Sequence, residues 1–510
     1  MTTPGAAPYD VIVVGYGYAG AFAAIAAADS GARVLLLEKA AQPGGISICS
    51  AGGLRTAEDA GKAFAYLQAT CGGKTPDPVL RQLAEGMAGV AARLSALAQG
   101  TGARVENRHS PANYPFPGGG TFGFAYVESI EGFDPAAAWP HVRGAEQGAL
   151  LFRLLQMNVE KRGARIDVRL ESPVARLLMR EGAVGGVTLA DGTTFAARGG
   201  VVLACGGFEA DPAMQAQYWP GGPALSAAYA GNTGDGIRMA QAAGADLWHM
   251  WHWHGCYGYR LPDRDYPFGV RVKRLPDWTP DADCKAPGGL PVMPWILLDR
   301  SGRRFMNEYE PYVQDTGGRA LATFDPARQR HDRNPAWMVT DAAGLAMYPL
   351  GKPTRNDAAA RYDWSVDNSS EVESGLFRSA ADCAALAEII GADPAIVGES
   401  LRGWNAACAG GADARFGRPA SSLHALKAPY FVAPVEPVVS NTQGGPVHDA
   451  QQRVLTPGGD AIPGLFAAGE CGSAFGHLYM SGGNLAECCV GGGIAGTNAA
   501  MRGDVHDLAG

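Results

Sequence analysis

Tyr9-Asp10-Val11-Ile12-Val13-Val14-Gly15-Tyr16-Gly17-Tyr18-Ala19-Gly20 is the stretch on which the fold turns. Tyr9 to Val14 is an apolar, β-branched run of the length expected for a buried parallel strand. The glycines come at once after it, and an Ala-rich helix is predicted from there to about Ser30. A second strand, Arg33 to Leu37, ends in Glu38, an acid about 20 residues beyond the glycines. This is a complete strand–helix–strand unit of the dinucleotide-binding kind. Gly15 permits the tight turn, Gly17 lets backbone approach a pyrophosphate, and Gly20 allows the helix to pack close on the strand. Tyr18 and Ala19 open the helix, whose unpaired N–H groups and dipole favour phosphate. Glu38 is placed to accept hydrogen bonds from ribose hydroxyls. A degenerate version of such a domain, without its dinucleotide, fits poorly with intact glycines and an intact Glu38.

Beyond this opening, 510 residues exceed one ordinary core, so two domains are expected. With 47% apolar and 18% charged residues the composition is that of a soluble globular protein. Glycine, at 71 residues, is about double its usual share, which points to turns and close backbone approaches to a ligand. A net charge of −8 gives no basic footprint for nucleic acid. Met1 to Asp10 lacks the layout of a signal peptide, and Tyr18 to Ala28, the most apolar stretch, is too short to span a membrane. The ten cysteines include no CxxC pair, so neither a disulfide framework nor a metal site is expected, and a cytoplasmic location fits. No CxxCH motif exists to attach haem, so an external electron acceptor is expected for any redox reaction.

Further motifs occur along the chain. Pro43-Gly44-Gly45-Ile46-Ser47 precedes Ser50-Ala51-Gly52-Gly53. Val187 to Asp211 reads as a β-hairpin and a strand ending in Ala204-Cys205-Gly206-Gly207-Phe208, and Gly231-Asn232-Thr233-Gly234-Asp235-Gly236 opens a helix. Asn441-Thr442-Gln443-Gly444-Gly445, Gly464-Leu465-Phe466-Ala467-Ala468-Gly469-Glu470 and Ser481-Gly482-Gly483-Asn484-Leu485 close the series. In these blocks the chain resembles the fumarate reductase and 3-ketosteroid dehydrogenase superfamily of flavoproteins. The resemblance implies FAD as the cofactor, and an α/β fold in which a Rossmann-type FAD-binding domain carries an inserted α+β cap domain. It implies cofactor contacts from Lys39, Gly44, Gly45, Ser47, Ser50, Ala51, Gly52 and Gly53, and from Val174, Ala204, Gly206, Gly207 and Asp235. Gly469 and Glu470 (on the ribityl chain) and Asn484 and Leu485, opening a helix aimed at the flavin pyrimidine, complete them. Attachment is expected to be non-covalent, because no histidine lies between Glu38 and Gly53.

The FAD domain is expected at 1–244 and 426–510, with the cap at 245–425. The insert has its own composition, with Trp248, Trp251, Trp253, Trp278 and Trp295 close together and prolines dense between Pro262 and Pro294. A substrate cavity is expected where the two domains meet.

Arg303-Arg304-Phe305-Met306-Asn307-Glu308 resembles the superfamily segment that enters the active site from the cap, and the residues just after it sort the branches. Glu308-Tyr309-Glu310-Pro311-Tyr312 resembles the 3-ketosteroid dehydrogenases, Δ1 or Δ4, in which the last tyrosine is the catalytic base; Tyr312 inherits that role. Tyr479 and Gly483 have the spacing of the Y-P-G-P-G motif of the Δ1 enzymes, which implies a hydroxyl and an amide donated to the substrate carbonyl. Tyr114 is matched to a further active-site tyrosine. Fumarate-type enzymes carry an Arg four residues before the helix Asn, where this chain has Met480, and they carry H-P-T near the place of Trp251-His252-Trp253-His254. The two histidines resemble half a metal site without a third ligand, and read better as pocket lining or buried hydrogen-bonded groups.

The expected reaction is the α,β-dehydrogenation of a cyclic ketone, a 3-ketosteroid or a cyclohexanone type, with a proton lost to Tyr312 and a hydride to flavin N5. Donors on the carbonyl would stabilise the developing enolate. A tyrosine with pKa near 10 is a poor base at neutral pH, so Tyr312 needs a lowered pKa or a relay. The alternatives are fumarate reductase-like reduction of a C=C bond conjugated to a carboxylate, and a cofactor-free escort protein on the same fold.

Overall fold

A computed structural model describes residues 9–272, 292–309 and 312–507, with side chains to 502; Trp278, Glu310 and Pro311 lie outside these. The opening forms the expected unit. Tyr9–Val14 is a strand, Tyr18–Asp29 a helix and Val34–Leu37 the next strand. Strand Tyr9–Val14 pairs in parallel with Val34–Leu37 on one side and with Thr194–Leu203 on the other. Ile166–Arg169 and Ala461–Ala467 extend the parallel sheet outward, and Arg453–Leu455 closes it antiparallel. Both chain ends therefore build one sheet. Its central strands, Tyr9–Val14 and Val34–Leu37, are near-continuous apolar runs because both faces are covered, while the outer Ile166–Arg169 is half exposed.

The first helix packs against the last, Gly483–Asp507, at very short range. A Cβ on Gly492 would lie 2.6 Å from the Ala19 carbonyl oxygen, and one on Gly496 2.1 Å from that of Ala23. Small residues on both helices are thus a condition of the contact. Gly20 meets the strand side in the same way: a Cβ there would sit 1.8 Å from the Gly15 carbonyl oxygen.

A second sheet carries the cap. Its long strand, Tyr430–Thr442, pairs antiparallel with Ala336–Asp341 over its first half and with Trp253–Tyr259 over its second. The sheet also takes Leu225–Ser226, so it reaches beyond the 245–425 interval on both sides. Helices Cys383–Ile390 and Pro394–Gly410 cover one part of it. Strand Tyr430–Thr442 starts in the cap and ends at Asn441 and Thr442, beside the dinucleotide fold. Among the described residues all nine cysteines are free, no cluster of metal-ligating side chains occurs, and no helix is long and apolar enough to cross a membrane.

Candidate active site

A groove starts at the first glycine turn. It is lined by Gly15, Gly17, Tyr18, Ala19, Glu38, Lys39, Gly45, Ser47, Val174, Ala204, Gly206, Asp235 and Glu470. The helix facing it has no side-chain cap and no acid in its first turn, leaving its N–H dipoles suited to an anion. Glu38 is buried and accepts from the N–H groups of Tyr16 and Ala40, both at 2.9 Å. A carboxylate has lone pairs left for further donors. Across the groove, Lys39 Nζ donates to Asp235 at 2.7 Å and to Thr233 Oγ1 at 3.0 Å. Donors at a helix end and an acid at the second strand's tip are the set a pyrophosphate and a ribose require, and the site fits FAD on its chemistry.

At Ile46, Ser47, Glu470 and Cys488 the groove runs into a larger cavity of about 540 Å³. Ser50, Ala51, Gly53, Asn484 and Leu485 line it on one side. Tyr18 fixes that loop from behind, its hydroxyl donating to the Gly148 carbonyl at 2.6 Å and lying 3.2 Å from Ser50 Oγ. Gly20, Gly44, Gly52, Gly207 and Gly469 do not line either space; they let backbone and side chains close up behind the walls. A Cβ on Gly207, for example, would lie 1.8 Å from Thr442 Oγ1. Asn484 is locked by Gln443, Ser473 and Glu487, all within 3.2 Å. Glu470 accepts the Thr442 N–H at 2.7 Å, and burial pushes its carboxyl up to about 7. Glu209 shares Asn232 with it, at 2.6 and 3.4 Å, and burial and then Glu470 hold its pKa well above the usual range.

The same cavity brings Tyr312, His254 and Tyr479 together. The His254 ring lies 5.6 Å from Tyr312 and 4.2 Å from Tyr479, centroid to centroid. Tyr312 is carried by the segment that resembles the superfamily's entry to the site. Within that segment Arg304 and Glu308 are buried and structural. Arg304 pairs with Glu308 at 2.7 Å and with Asp413 at 2.8 Å, and Arg418 reaches Glu308 at 3.3 Å. Glu308 also accepts the Leu297 N–H at 3.0 Å, which ties the segment to the cap sheet. Tyr312 then precedes a short helix, Val313–Thr316.

Gly483 departs from its expected place. It does not line the cavity; its N–H donates to the Met480 carbonyl at 2.8 Å, and a Cβ would strike the Phe475 ring. Gly482 forms the wall instead. Tyr114 lies behind Tyr312, its ring edge-on at 6.1 Å, and its hydroxyl donates to Asp315 at 2.6 Å. Asp315 also accepts the Tyr479 N–H at 2.9 Å and faces His252 at 3.5 Å, Arg319 at 3.6 Å and His254 at 3.7 Å. Burial acts to raise its pKa, and the two histidines with Arg319 outweigh that and hold it below the carboxylate range. Sequence reasoning missed Asp315, and the only trace it leaves there is an acid three residues after Tyr312. It also missed Arg55, which is buried and holds the Ser481 and Ser110 carbonyls, both at 2.6 Å. Arg271, on the cavity wall, was missed as well; it donates to Ser440 at 3.0 Å and Thr354 at 2.8 Å.

A dinucleotide groove opening into a capped cavity with convergent tyrosines defines an FAD-dependent oxidoreductase. The FAD binding domain family matches residues 10–485, and the chain belongs to that family. It is 28% identical to a probable fumarate reductase of Shewanella frigidimarina, over 96% of this chain and 75% of that one. It is 26% identical to the digoxin reductase of Eggerthella lenta, over 96% of this chain and 87% of that one. Among solved structures, a 3-ketosteroid Δ1-dehydrogenase from Sterolibacterium denitrificans, in complex with 1,4-androstadiene-3,17-dione, aligns with TM-score 0.79 at 22% identity. That match covers 97% of this chain and 99% of the other.

Proposed function

We propose that the protein dehydrogenates a cyclic ketone, a 3-ketosteroid or a cyclohexanone type, at the carbons α and β to the carbonyl. One observation carries this reading: Tyr312 and Tyr479, from distant parts of the chain, flank His254 on one wall of the cavity that faces the flavin-binding loops. Tyr479 donates its hydroxyl to the ketone oxygen and stabilises the enolate charge that develops there. Tyr312 takes the proton from carbon. Bound FAD supplies the hydride acceptor, held without a covalent bond, and an external acceptor reoxidises it. The Gly483 amide, already engaged with Met480, contributes no donor in this arrangement.

A second reading keeps one support of its own. The guanidinium of Arg271 on the cavity wall suits a carboxylate, as a fumarate-like reductase of conjugated C=C bonds would require. Anaerobic bleaching of the flavin separates the two. The oxidised enzyme is mixed with 4-androstene-3,17-dione and with cyclohexanone, and the dithionite-reduced enzyme with fumarate. Bleaching by a ketone, with slow or no reoxidation by fumarate, is expected. Rapid reoxidation by fumarate without bleaching by either ketone overturns the proposal in favour of the second reading.

A further inference from the structure

Two buried acids meet at the junction of the groove and the cavity. Strands Thr194–Leu203 and Ala461–Ala467 run parallel as neighbours, with Leu203 opposite Ala467. The turns that leave their C-terminal ends bring Glu209 and Glu470 together. Asn232 donates to both, at 2.6 Å to Glu209 Oε1 and 3.4 Å to Glu470 Oε2, and the two carboxyl groups hydrogen-bond each other. An ionised carboxylate only accepts, so that last bond needs a proton on one of the acids. Glu470 has the better supply of donors, the Thr442 N–H at 2.7 Å and the Thr442 hydroxyl at 3.3 Å. Glu209 Oε2 is buried and receives no donor, and among the described residues neither acid forms an ion pair. Glu209 is therefore the protonated member. Burial and the neighbouring Glu470 charge favour the same assignment.

We propose that Glu209 is a positioning residue for the cofactor: as a neutral acid it donates to Glu470 and holds that carboxylate in place, so that FAD binds tightly only while the pair keeps its proton. Glu470 lines both the groove and the cavity, and Asn232 lines the groove, whereas Glu209 lines neither. Glu209 thus acts through its two neighbours. Loss of the proton to solvent turns the donor into a second acceptor and sets two like charges in contact where water does not reach. Glu470 is then driven from its place, and the anionic pyrophosphate meets one more negative charge beside the groove. The titratable groups around the pair offer no compensation. Tyr229, Cys49, Glu487, Cys471 and Cys488 are all acids, and Arg271 acts on Cys49. On the facing helix Asp235 engages Lys39 at 2.7 Å. The inference rests on the FAD-dependent class and not on the choice of substrate.

Dilution of the holoprotein at a series of pH values, with released flavin read by its fluorescence, tests this. One proton held together with the cofactor makes the dissociation constant rise by up to about tenfold per pH unit on the alkaline side. Glu209→Gln keeps the shape and a donor but cannot ionise. It should match wild type at neutral pH and keep that affinity at alkaline pH. Glu209→Ala, with no donor to Glu470, should bind FAD on the order of 10–100-fold more weakly at every pH. A wild-type dissociation constant that stays level from neutral to alkaline pH overturns the proposal, as does a Glu209→Gln profile that climbs in step with wild type. If Glu209→Gln does not fold, Glu470→Gln takes its place. It removes the second charge, so its profile should flatten whatever its absolute affinity, and an unflattened profile overturns the proposal. Infrared difference spectra of wild-type and Glu209→Gln holoprotein at neutral pH give an independent reading. One protonated-carboxyl band should disappear in the variant, and its persistence overturns the assignment of the proton to Glu209.

Discussion

Tyr312→Phe and Tyr479→Phe should separate two roles that a single rate measurement would confuse. The Tyr479 ring is held by contacts that do not involve its hydroxyl: His254 at 4.2 Å, Phe475 at 5.3 Å, and the backbone N–H on Asp315 at 2.9 Å. Loss of the oxygen therefore leaves the ring in place, and the deficit is chemical. Removing one donor to an oxyanion costs about 10²–10³ in kcat, or about 2.7–4 kcal/mol. Because the same hydrogen bond exists to the ground-state ketone, the Michaelis constant should rise as well. Tyr312 is fixed by the turn that comes after it, with the Asp315 and Thr316 N–H groups on its carbonyl at 2.9 and 3.2 Å. Its phenylalanine variant should lose about 10²–10⁴ in kcat, equivalent to about 2.7–5.4 kcal/mol at 1.36 kcal/mol per decade. Ketone binding should stay near wild type. The assay is anaerobic stopped-flow flavin reduction across ketone concentrations, which yields binding and chemistry separately. Near-wild-type reduction in either variant, on a ketone the parent enzyme oxidises, would refute that residue's role. A binding defect in Tyr312→Phe instead of Tyr479→Phe would mean the roles are reversed.

Acid precipitation of the wild-type holoprotein should release its flavin to the supernatant, whereas Gly20→Ala should purify colourless. Its Cβ would stand 1.8 Å from the Gly15 carbonyl oxygen and push helix from strand, so a yellow variant with normal flavin content would count against this account of the fingerprint. Glu209→Gln should alter stability with pH in a defined direction. A buried carboxyl whose folded pKa is raised stabilises the fold below the unfolded value, and that contribution is lost as pH climbs to the folded value. With Glu470 pushed up to about 7, the pair should weaken the wild-type apoprotein between about pH 4.5 and pH 7. The variant's gain in Tm over wild type should therefore be larger at about pH 8 than at about pH 5. A pH-independent difference in thermal scans would rule this out.

The parallel sheet was legible because its information is local. Each glycine of the first turn answers a short-range steric demand, and Glu38 sits a fixed distance along the same unit. The cap boundaries were not, and Pro434 and Pro437 show why. Prolines argue against a central strand, since they cannot donate to a ladder. Yet Tyr430–Thr442 is the long strand of the second sheet. Pro434 pairs with Trp337 and Pro437 with Tyr257, each where the strand has a ladder partner on one side only. The strands on the other side, Arg378–Ala380 and Leu225–Ser226, pair with 430–432 and 438–439. Which side is left open depends on strands far away in the chain, so no window around the prolines could reveal it.

The site divides along the same line. Tyr312 and Tyr479 were picked out because their segments resemble motifs of the 3-ketosteroid dehydrogenases, and both line the cavity. Gly483 shows where spacing stops: its distance from Tyr479 is right for an amide donor, but the turn that delivers it spends the amide on Met480. Asp315 is the converse case. Nothing near it in sequence marks it, because its surroundings come from separate segments: Tyr114, the His252–His254 pair, Arg319 and the Tyr479 amide. A buried carboxylate costs several kcal/mol in desolvation and persists only where such partners converge. The same reasoning separates it from Glu308, which is equally buried. Among the described residues Glu308 is flanked by Arg304 and Arg418 and by no group that lines the cavity, so its partners make it an anchor. Asp315 shares its partners with both tyrosines of the cavity wall: Tyr114 and His254, which contact it, also meet Tyr312, and Tyr479 donates its N–H to it.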